Sequence, residues 1–229
     1  MSNFLFGFDV IMGYLMGSIC SAIIVSRLFS LPDPRTEGSK NPGATNVLRL
    51  SGKKYAIYVL LGDVLKGLIP VLIARLFHSS PSAVGFTCFS AVLGHIYPVF
   101  FGFKGGKGVA TTLGALFGLN LILGLLVTLT WLVVANFSRY SSLASITAVT
   151  LAPFFALLNI QNLDMFPPLI FISAIILYKH KNNIARLMNG EEPKIEFKKS
   201  TIAMDEAVNE AIIIDEHKKP EVMDEPPKF

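Results

Sequence analysis

Residues 109–137 read VATTLGALFGLNLILGLLVTLTWLVVANF, a run of 29 residues with no charged side chain. At 1.5 Å per residue, one helix through all of them reaches about 43 Å, too long for an untilted crossing of a hydrocarbon core about 30 Å thick. Two full crossings need about 40 residues, so the run is also too short for an ordinary pair. It is either one long span or a hairpin of two short helices breaking near Gly118-Leu119-Asn120. The choice decides on which side of a bilayer Arg139 and everything after it lie.

Working outward, four further segments have the length and apolar character of membrane spans: Phe8 to Phe29, Tyr55 to Phe77, Ser82 to Phe101 and Ser142 to Ile160. Met165 to Tyr178 is shorter, and its Pro167-Pro168 suits a helix start. The stretches between them differ in charge. Residues 27–54, 104–107, the turn at Arg139 and everything from Lys179 onward are basic, whereas the turns near 78–81, 118–120 and 160–164 hold no Lys or Arg, with only Arg75 nearby. With a hairpin at 118–120, every basic loop falls on one side. With a single span, Arg139 and the C-terminal segment land opposite the first two basic loops. Basic loops collect on the cytoplasmic side, so the reading is an all-α, polytopic membrane protein of seven transmembrane helices, N-terminus outside and C-terminus cytoplasmic. Six spans is the alternative. The short pair must then be tilted or shielded, and Gly114, Gly118 and Gly124 would let neighbours approach.

Composition agrees: 52% of the 229 residues are hydrophobic, 16% are charged and mean hydropathy is +0.56, where a soluble domain is about a quarter charged. Residues 1–189 hold 14 Lys and Arg against 5 Asp and Glu, and residues 190–229 hold 6 against 11. A basic membrane domain, 1–192, is therefore expected to carry a charged, mostly disordered cytoplasmic tail, 193–229, with one short amphipathic helix around Thr201 to Ile214. The N-terminal apolar run has no preceding Lys or Arg and no clean cleavage site, so it reads as a retained span. Cys20 and Cys88 lie inside apolar segments and make a poor disulfide pair.

The chemistry sits in three polar stretches. The first, Asp33-Pro34-Arg35-Thr36-Glu37-Gly38-Ser39-Lys40-Asn41-Pro42-Gly43-Ala44-Thr45-Asn46-Val47-Leu48-Arg49, gathers glycines, hydroxyls, amides and cations beside a membrane. Glycine turns backbone N–H groups toward an anion, and Arg49 can hold phosphate oxygens bidentately. The second, Phe101-Gly102-Phe103-Lys104-Gly105-Gly106-Lys107-Gly108, runs into a helix start, where backbone donors and lysines together suit a phosphate. It is not a Walker A loop, because position 101 is Phe where the first glycine is needed and position 108 is Gly where Ser or Thr is needed. In the third, Tyr178 to Glu192, a helix would put His180, Asn183 and Arg186 on one face and let Ile184, Leu187 and Met188 meet the membrane. Each stretch alone also fits a polar connector or an amphipathic exit helix.

Within the spans, Asp63 and Lys66 stand one turn apart and read as a structural pair, since ionisable groups in hydrocarbon are usually paired or functional. His95 suits either a packing hydrogen bond or support of a site. Ser18 and Ser21 suggest tight helix packing. No metal-ligand spacing, nucleophile elbow or nucleic-acid module is present, and no cofactor is implied.

Taken together, the stretches Gly17-Ser18-Ile19, Gly38 through Arg49, Asp63-Val64-Leu65-Lys66-Gly67, Gly94-His95, Phe103 through Thr111 and His180 through Glu192 resemble the bacterial acyl-phosphate:glycerol-3-phosphate acyltransferases, the PlsY family. The likeness covers residues 7–192, with Lys40 standing where the family commonly carries glycine. It implies a seven-helix enzyme of the bacterial inner membrane with cytoplasmic active-site loops. Such an enzyme moves a fatty acyl group from acyl phosphate to the 1-hydroxyl of sn-glycerol 3-phosphate, giving lysophosphatidic acid and phosphate. The resemblance further implies that Ser39, Arg49, His180 and Asn183 act in catalysis. By the same likeness Gly38, Asn41, Gly43, Asn46, Lys104, Gly105, Gly106, Lys107 and Gly108 bind substrate, and Glu192 supports the last segment. A transporter or binding protein for a small organic phosphate is the alternative. It would place its anion groups near the midplane, often within an internal repeat, and no such repeat is found. An acyl-CoA-dependent enzyme with His and Asp five apart is also disfavoured, because no histidine here is followed at that spacing by Asp.

Overall fold

The computed structural model describes residues 2–160 and 162–195, and the amphipathic helix expected at Thr201 to Ile214 and the tail from 196 onward lie outside the described residues. Among the described residues the secondary structure is helical, with no strand. Its elements are α1 (Ser2–Gly17), α2 (Ser21–Leu28), α3 (Ala44–Ser51), α4 (Lys53–Leu76), α5 (Pro81–Ile96), α6 (Val109–Leu119), α7 (Leu121–Ser138), α8 (Ser141–Asn159), α9 (Phe166–Lys179) and α10 (Lys181–Met188), with 3-10 turns at Val99–Phe101 and Leu163–Met165. Five of the helical runs are long and apolar enough to cross a membrane, and the run from Leu163 through Lys179 meets the same test only together with α10, from which it is bent by 57°.

The run 109–137 is two helices, broken at Asn120. The break is asymmetric. The side chain of Asn120 accepts a hydrogen bond from the Leu123 N–H at 2.9 Å and caps α7, which keeps 18 residues and is long enough to cross. Only α6, with 11 residues and a length of about 16 Å, is short. It survives by being sheathed. A Cβ on Gly114 would lie 1.9 Å from the Val64 carbonyl oxygen, one on Gly67 2.1 Å from the Thr111 carbonyl oxygen, and one on Gly118 2.9 Å from Val71. Backbones meet directly along α4 and α6, which is how helices associate where no hydrophobic drive exists between them. The far end of α6 is capped by Arg75, whose guanidinium donates to the carbonyls of Gly118 at 2.8 Å and Leu119 at 3.2 Å. That gives a structural partner to Arg75, the cation near the turns at 78–81 and 118–120.

The first apolar run is likewise two helices. The chain breaks at Ser18-Ile19-Cys20 because Gly17 and Gly94 bring α1 and α5 into backbone contact there, and Lys66 Nζ donates to the freed Ile19 carbonyl at 2.8 Å. Lys66 also pairs with Asp63 at 2.8 Å, and both are buried. The contacts Phe6 to Phe86, Gly13 to Ser90, Gly17 to Ala91 and Tyr14 to Tyr97 advance together, so α1 and α5 run parallel. Contacts of Val64 with Gly114 and Val71 with Gly118 show the same of α4 and α6. The apolar core spans α4 to α9, and Leu121, Leu129, Val133 and Phe137 of α7 are exposed as a hydrocarbon-facing surface should be. Cys20 and Cys88 are buried free thiols.

Candidate active site

The first polar stretch is not wholly loop. It turns at Gly38 and then enters α3, so Arg49 projects from the last turn of a short helix. Asn46 holds the turn together. Its amide nitrogen donates to the carbonyls of Pro34 and Glu37, each at 3.0 Å, and its oxygen accepts from the Ser39 N–H at 2.9 Å. Asn46 is almost wholly buried, so the structure places it as the staple that presents Ser39. Gly38 has φ +62, and a Cβ there would meet the Asn46 amide oxygen at 2.4 Å. Lys40 also occupies the left-handed region, at φ 55, a conformation that costs an L residue about 1–2 kcal/mol. That is the physical reason glycine suits this position in the family the sequence resembles. The Ser39 hydroxyl is exposed, and Asn41 packs its amide beside Gly43, which caps α3.

The glycine turn is anchored under the C-terminal end of α5. Gly105 N–H donates to the Ile96 carbonyl and Gly106 N–H to the His95 carbonyl, both at 3.2 Å. These two amides are therefore already occupied, and the donors left to an anion are those from Lys107 into the start of α6, where no side chain caps the helix. A Cβ on Gly106 would strike His95 Nε2 and lie 2.8 Å from the Pro42 carbonyl, so the first two polar stretches touch here. Gly108, at φ +89, makes the turn into α6.

The third stretch closes the arrangement. Lys107 Nζ donates to the side-chain oxygen of Asn183, whose nitrogen donates to Glu192 at 2.7 Å, and Glu192 also accepts from Arg186 at 2.8 Å. His180 and Asn183 are buried together on the inward face of the α9–α10 bend, and Arg186 is half-exposed beside them. Burial, with the charges of Arg186, Arg49 and Lys179 nearby and only Glu192 opposing, lowers Lys107 from the usual lysine range to about 8. His180 Nδ1 lies 2.8 Å from the Ile176 carbonyl, which can only accept, so the ring proton sits on Nδ1 and Nε2 carries a lone pair. Burial pushes the His180 imidazole down to about 4. Burial raises the Glu192 carboxyl, but its donors outweigh that and leave it below the ordinary value. The Ser142 hydroxyl stands in reach of this carboxylate but outside hydrogen-bond geometry.

The structure thus gathers Arg49, Gly106, Lys107, Gly108, His180, Asn183 and Glu192 at one end of the bundle. Lys104 is exposed on the outer side of the turn and makes no side-chain hydrogen bond among the described residues. Lys179 was not singled out from the sequence. It stacks over Tyr97 at 5.2 Å and its charge reaches Lys107. The signal for it was its place one residue before His180, indistinguishable in sequence from an ordinary basic flank.

A family model described as glycerol-3-phosphate acyltransferase matches residues 8–190. A glycerol-3-phosphate acyltransferase of Legionella pneumophila (strain Corby) is 60% identical over 198 residues, 86% of this chain and 72% of that protein. One of Methylococcus capsulatus is 53% identical over 182 residues, 80% of this chain and 92% of that protein. The crystal structure of PlsY, an integral membrane glycerol 3-phosphate acyltransferase, in its glycerol 3-phosphate form superposes with TM-score 0.81 at 43% identity, over 86% of this chain and 98% of that one. Its lysophosphatidic acid form gives 0.77 at 44% identity, over 83% and 95%. The family model spans the first two polar stretches and the third as far as Gly190, and the chain belongs to the glycerol-3-phosphate acyltransferase family.

Proposed function

We propose that this chain is a multi-pass membrane enzyme that transfers a fatty acyl group from acyl phosphate to the 1-hydroxyl of sn-glycerol 3-phosphate. The observation that carries the reading is the meeting of three polar stretches at one end of an apolar bundle, the first against the second at Pro42 and Gly106, and the second against the third through Lys107, Asn183 and Glu192. Both substrates and one product carry phosphate, and the acyl chain needs an apolar surface beside the phosphate groups. Membership of the family and the glycerol 3-phosphate form of PlsY support glycerol 3-phosphate as acceptor.

In the reaction, the 1-hydroxyl oxygen bonds to the acyl carbonyl carbon, the bond from that carbon to the phosphate oxygen breaks, and phosphate leaves with the electron pair. Acyl phosphate is a mixed anhydride, so the protein's work is orientation and charge stabilisation. Lys107 and the free amides at the start of α6 hold the glycerol 3-phosphate, and Arg49 and Ser39 hold the acyl phosphate. The hydroxyl proton passes to phosphate. Burial holds His180 below the ordinary imidazole range, whereas a phosphate monoester has its second pKa at about 6 and is the better proton acceptor. His180 Nε2 instead accepts a hydrogen bond that orients the hydroxyl. Ser39 is a hydrogen-bonding partner of substrate in preference to a nucleophile.

The same reading assigns seven crossings, counting α1 with α2 as one and the short α6 as another, with the N-terminus outside. The three polar stretches and the C-terminus lie in the cytoplasm of a bacterial inner membrane, and 1–192 form the catalytic domain ahead of a separate tail, 193–229. The test is phosphate release from palmitoyl phosphate by detergent-purified protein, with and without glycerol 3-phosphate, beside a Ser39→Ala/Arg49→Ala variant. Glycerol-phosphate-dependent release that the variant loses supports the reading. Release that ignores glycerol 3-phosphate, or an acyl adduct on Ser39 after rapid quench, contradicts the mechanism.

A further inference from the structure

We propose that His95, with Thr111 and Asp63, is the positioning unit that sets the glycine turn and the first turn of α6 at the height needed to grip the acceptor phosphate. The proposal rests on the acyltransferase reading above and goes beyond the groups that touch substrate in it. His95 stands in the last turn of α5, buried, and makes contacts on both sides of the phosphate-binding turn. On one side its Nδ1 lies 3.0 Å from Thr111 Oγ1, in the first turn of α6. On the other its ring lies against Gly106, so closely that a Cβ there would sit 2.3 Å from Nε2. Its backbone carbonyl takes the Gly106 N–H at 3.2 Å. One residue therefore fixes the turn through its main chain, floors it with its ring, and ties it to the helix whose N-terminal amides follow.

A carboxylate packs behind the ring, beyond hydrogen-bond distance. Asp63 Oδ1 is 3.6 Å from His95 Nδ1 and 2.8 Å from Lys66 Nζ, which reaches the Ile19 carbonyl at the α1–α2 break. A buried polar strut thus runs from that break through α4 and α5 to the start of α6. Buried charge in a bundle is costly unless fully paired, and a merely structural pair of Asp63 and Lys66 has no need of a histidine that ends under a substrate turn. The small residues around the strut leave little slack: Gly105 would place a Cβ 2.0 Å from the His95 carbonyl oxygen, so the turn cannot settle closer to α5 with any side chain at that position. Loss of the ring or of the Thr111 hydroxyl lets the turn and the helix amides shift relative to Lys107. Because the strut touches the acceptor turn and not Ser39 or Arg49, it governs glycerol 3-phosphate and leaves the acyl donor alone.

The experiment is steady-state kinetics of His95→Ala, His95→Asn, Thr111→Val and Thr111→Ser against both substrates, with thermal stability measured in parallel. Thr111→Val and His95→Ala are expected to raise KM for glycerol 3-phosphate about tenfold, as loss of one buried hydrogen bond does, with kcat and the KM for acyl phosphate changed less than about threefold. Thr111→Ser, which keeps the hydroxyl, and His95→Asn, whose amide reaches where Nδ1 did, should recover most of the loss. Should His95→Ala fail to accumulate, Thr111→Val carries the test with the ring in place. An unchanged KM in Thr111→Val, a loss confined to kcat, or equal losses on both substrates would overturn the proposal. A wild-type protein that turns over neither substrate would instead defeat the acyltransferase reading itself, so the two failures are distinguishable.

Discussion

Lys107 is charged below about pH 8 and neutral above it, because burial and its cationic neighbours favour the uncharged form. A neutral amine loses its hold on a phosphate dianion, so kcat/KM for glycerol 3-phosphate, which reports the free enzyme, is expected to fall about tenfold per pH unit above 8. In Lys107→Arg, which stays protonated, any activity retained should be flat to about pH 10. A wild-type profile flat across the same range would show that Lys107 does not hold the acceptor. Gly38→Ala tests the neighbouring stretch: its Cβ would collide with the Asn46 amide oxygen at a positive φ, and activity should drop at least about 100-fold as the Ser39 turn opens. At this scale the sequence was informative about residue type and silent about direction. Asn46 reads as one more polar donor in a glycine-rich stretch. Only the folded path, which brings Pro34, Glu37 and Ser39 to its amide, shows that it faces inward. Lys40, by contrast, could be flagged from sequence as a departure, and its φ of 55 supplies the cause.

Among the elements, α6 depends most on its neighbours. Arg75→Ala removes two charge-assisted hydrogen bonds from its C-terminal carbonyls, and should cost about 1.5–3 kcal/mol of unfolding free energy, read as a lowered Tm in detergent with KM nearly unchanged. Gly114→Val should prevent accumulation of folded protein, since a side chain there has only the Val64 backbone to occupy. The division of residues 109–137 into α6 and α7 was legible from the charge of loops far from it. The exact break was carried by Asn120, a helix-capping residue in an otherwise apolar run. The α1–α2 break was not legible. It is held open by Lys66, 47 residues away, and by the close approach of Gly94, and no local signal in Gly17-Ser18-Ile19-Cys20 announces either. The helix α3 was hidden for a different reason: at eight residues it is too short for an apolar period to stand out.

For the whole molecule, parallel pairing of α1 with α5 and of α4 with α6 puts the start of α4 and the start of α6 at one end, where the three polar stretches meet. The account assigns catalysis to 1–192 alone, so deletion of 196–229 should leave kcat/KM for both substrates within about twofold. A larger loss would bring the tail into the site. The central claim is that this bundle takes its acyl group from a phosphate anhydride. It is tested most directly by supplying labelled glycerol 3-phosphate with palmitoyl phosphate or with palmitoyl-CoA and quantifying labelled lysophosphatidic acid. The account predicts product with palmitoyl phosphate, one phosphate released per product, and none above background with palmitoyl-CoA. Comparable product from palmitoyl-CoA, or none from palmitoyl phosphate, would contradict it.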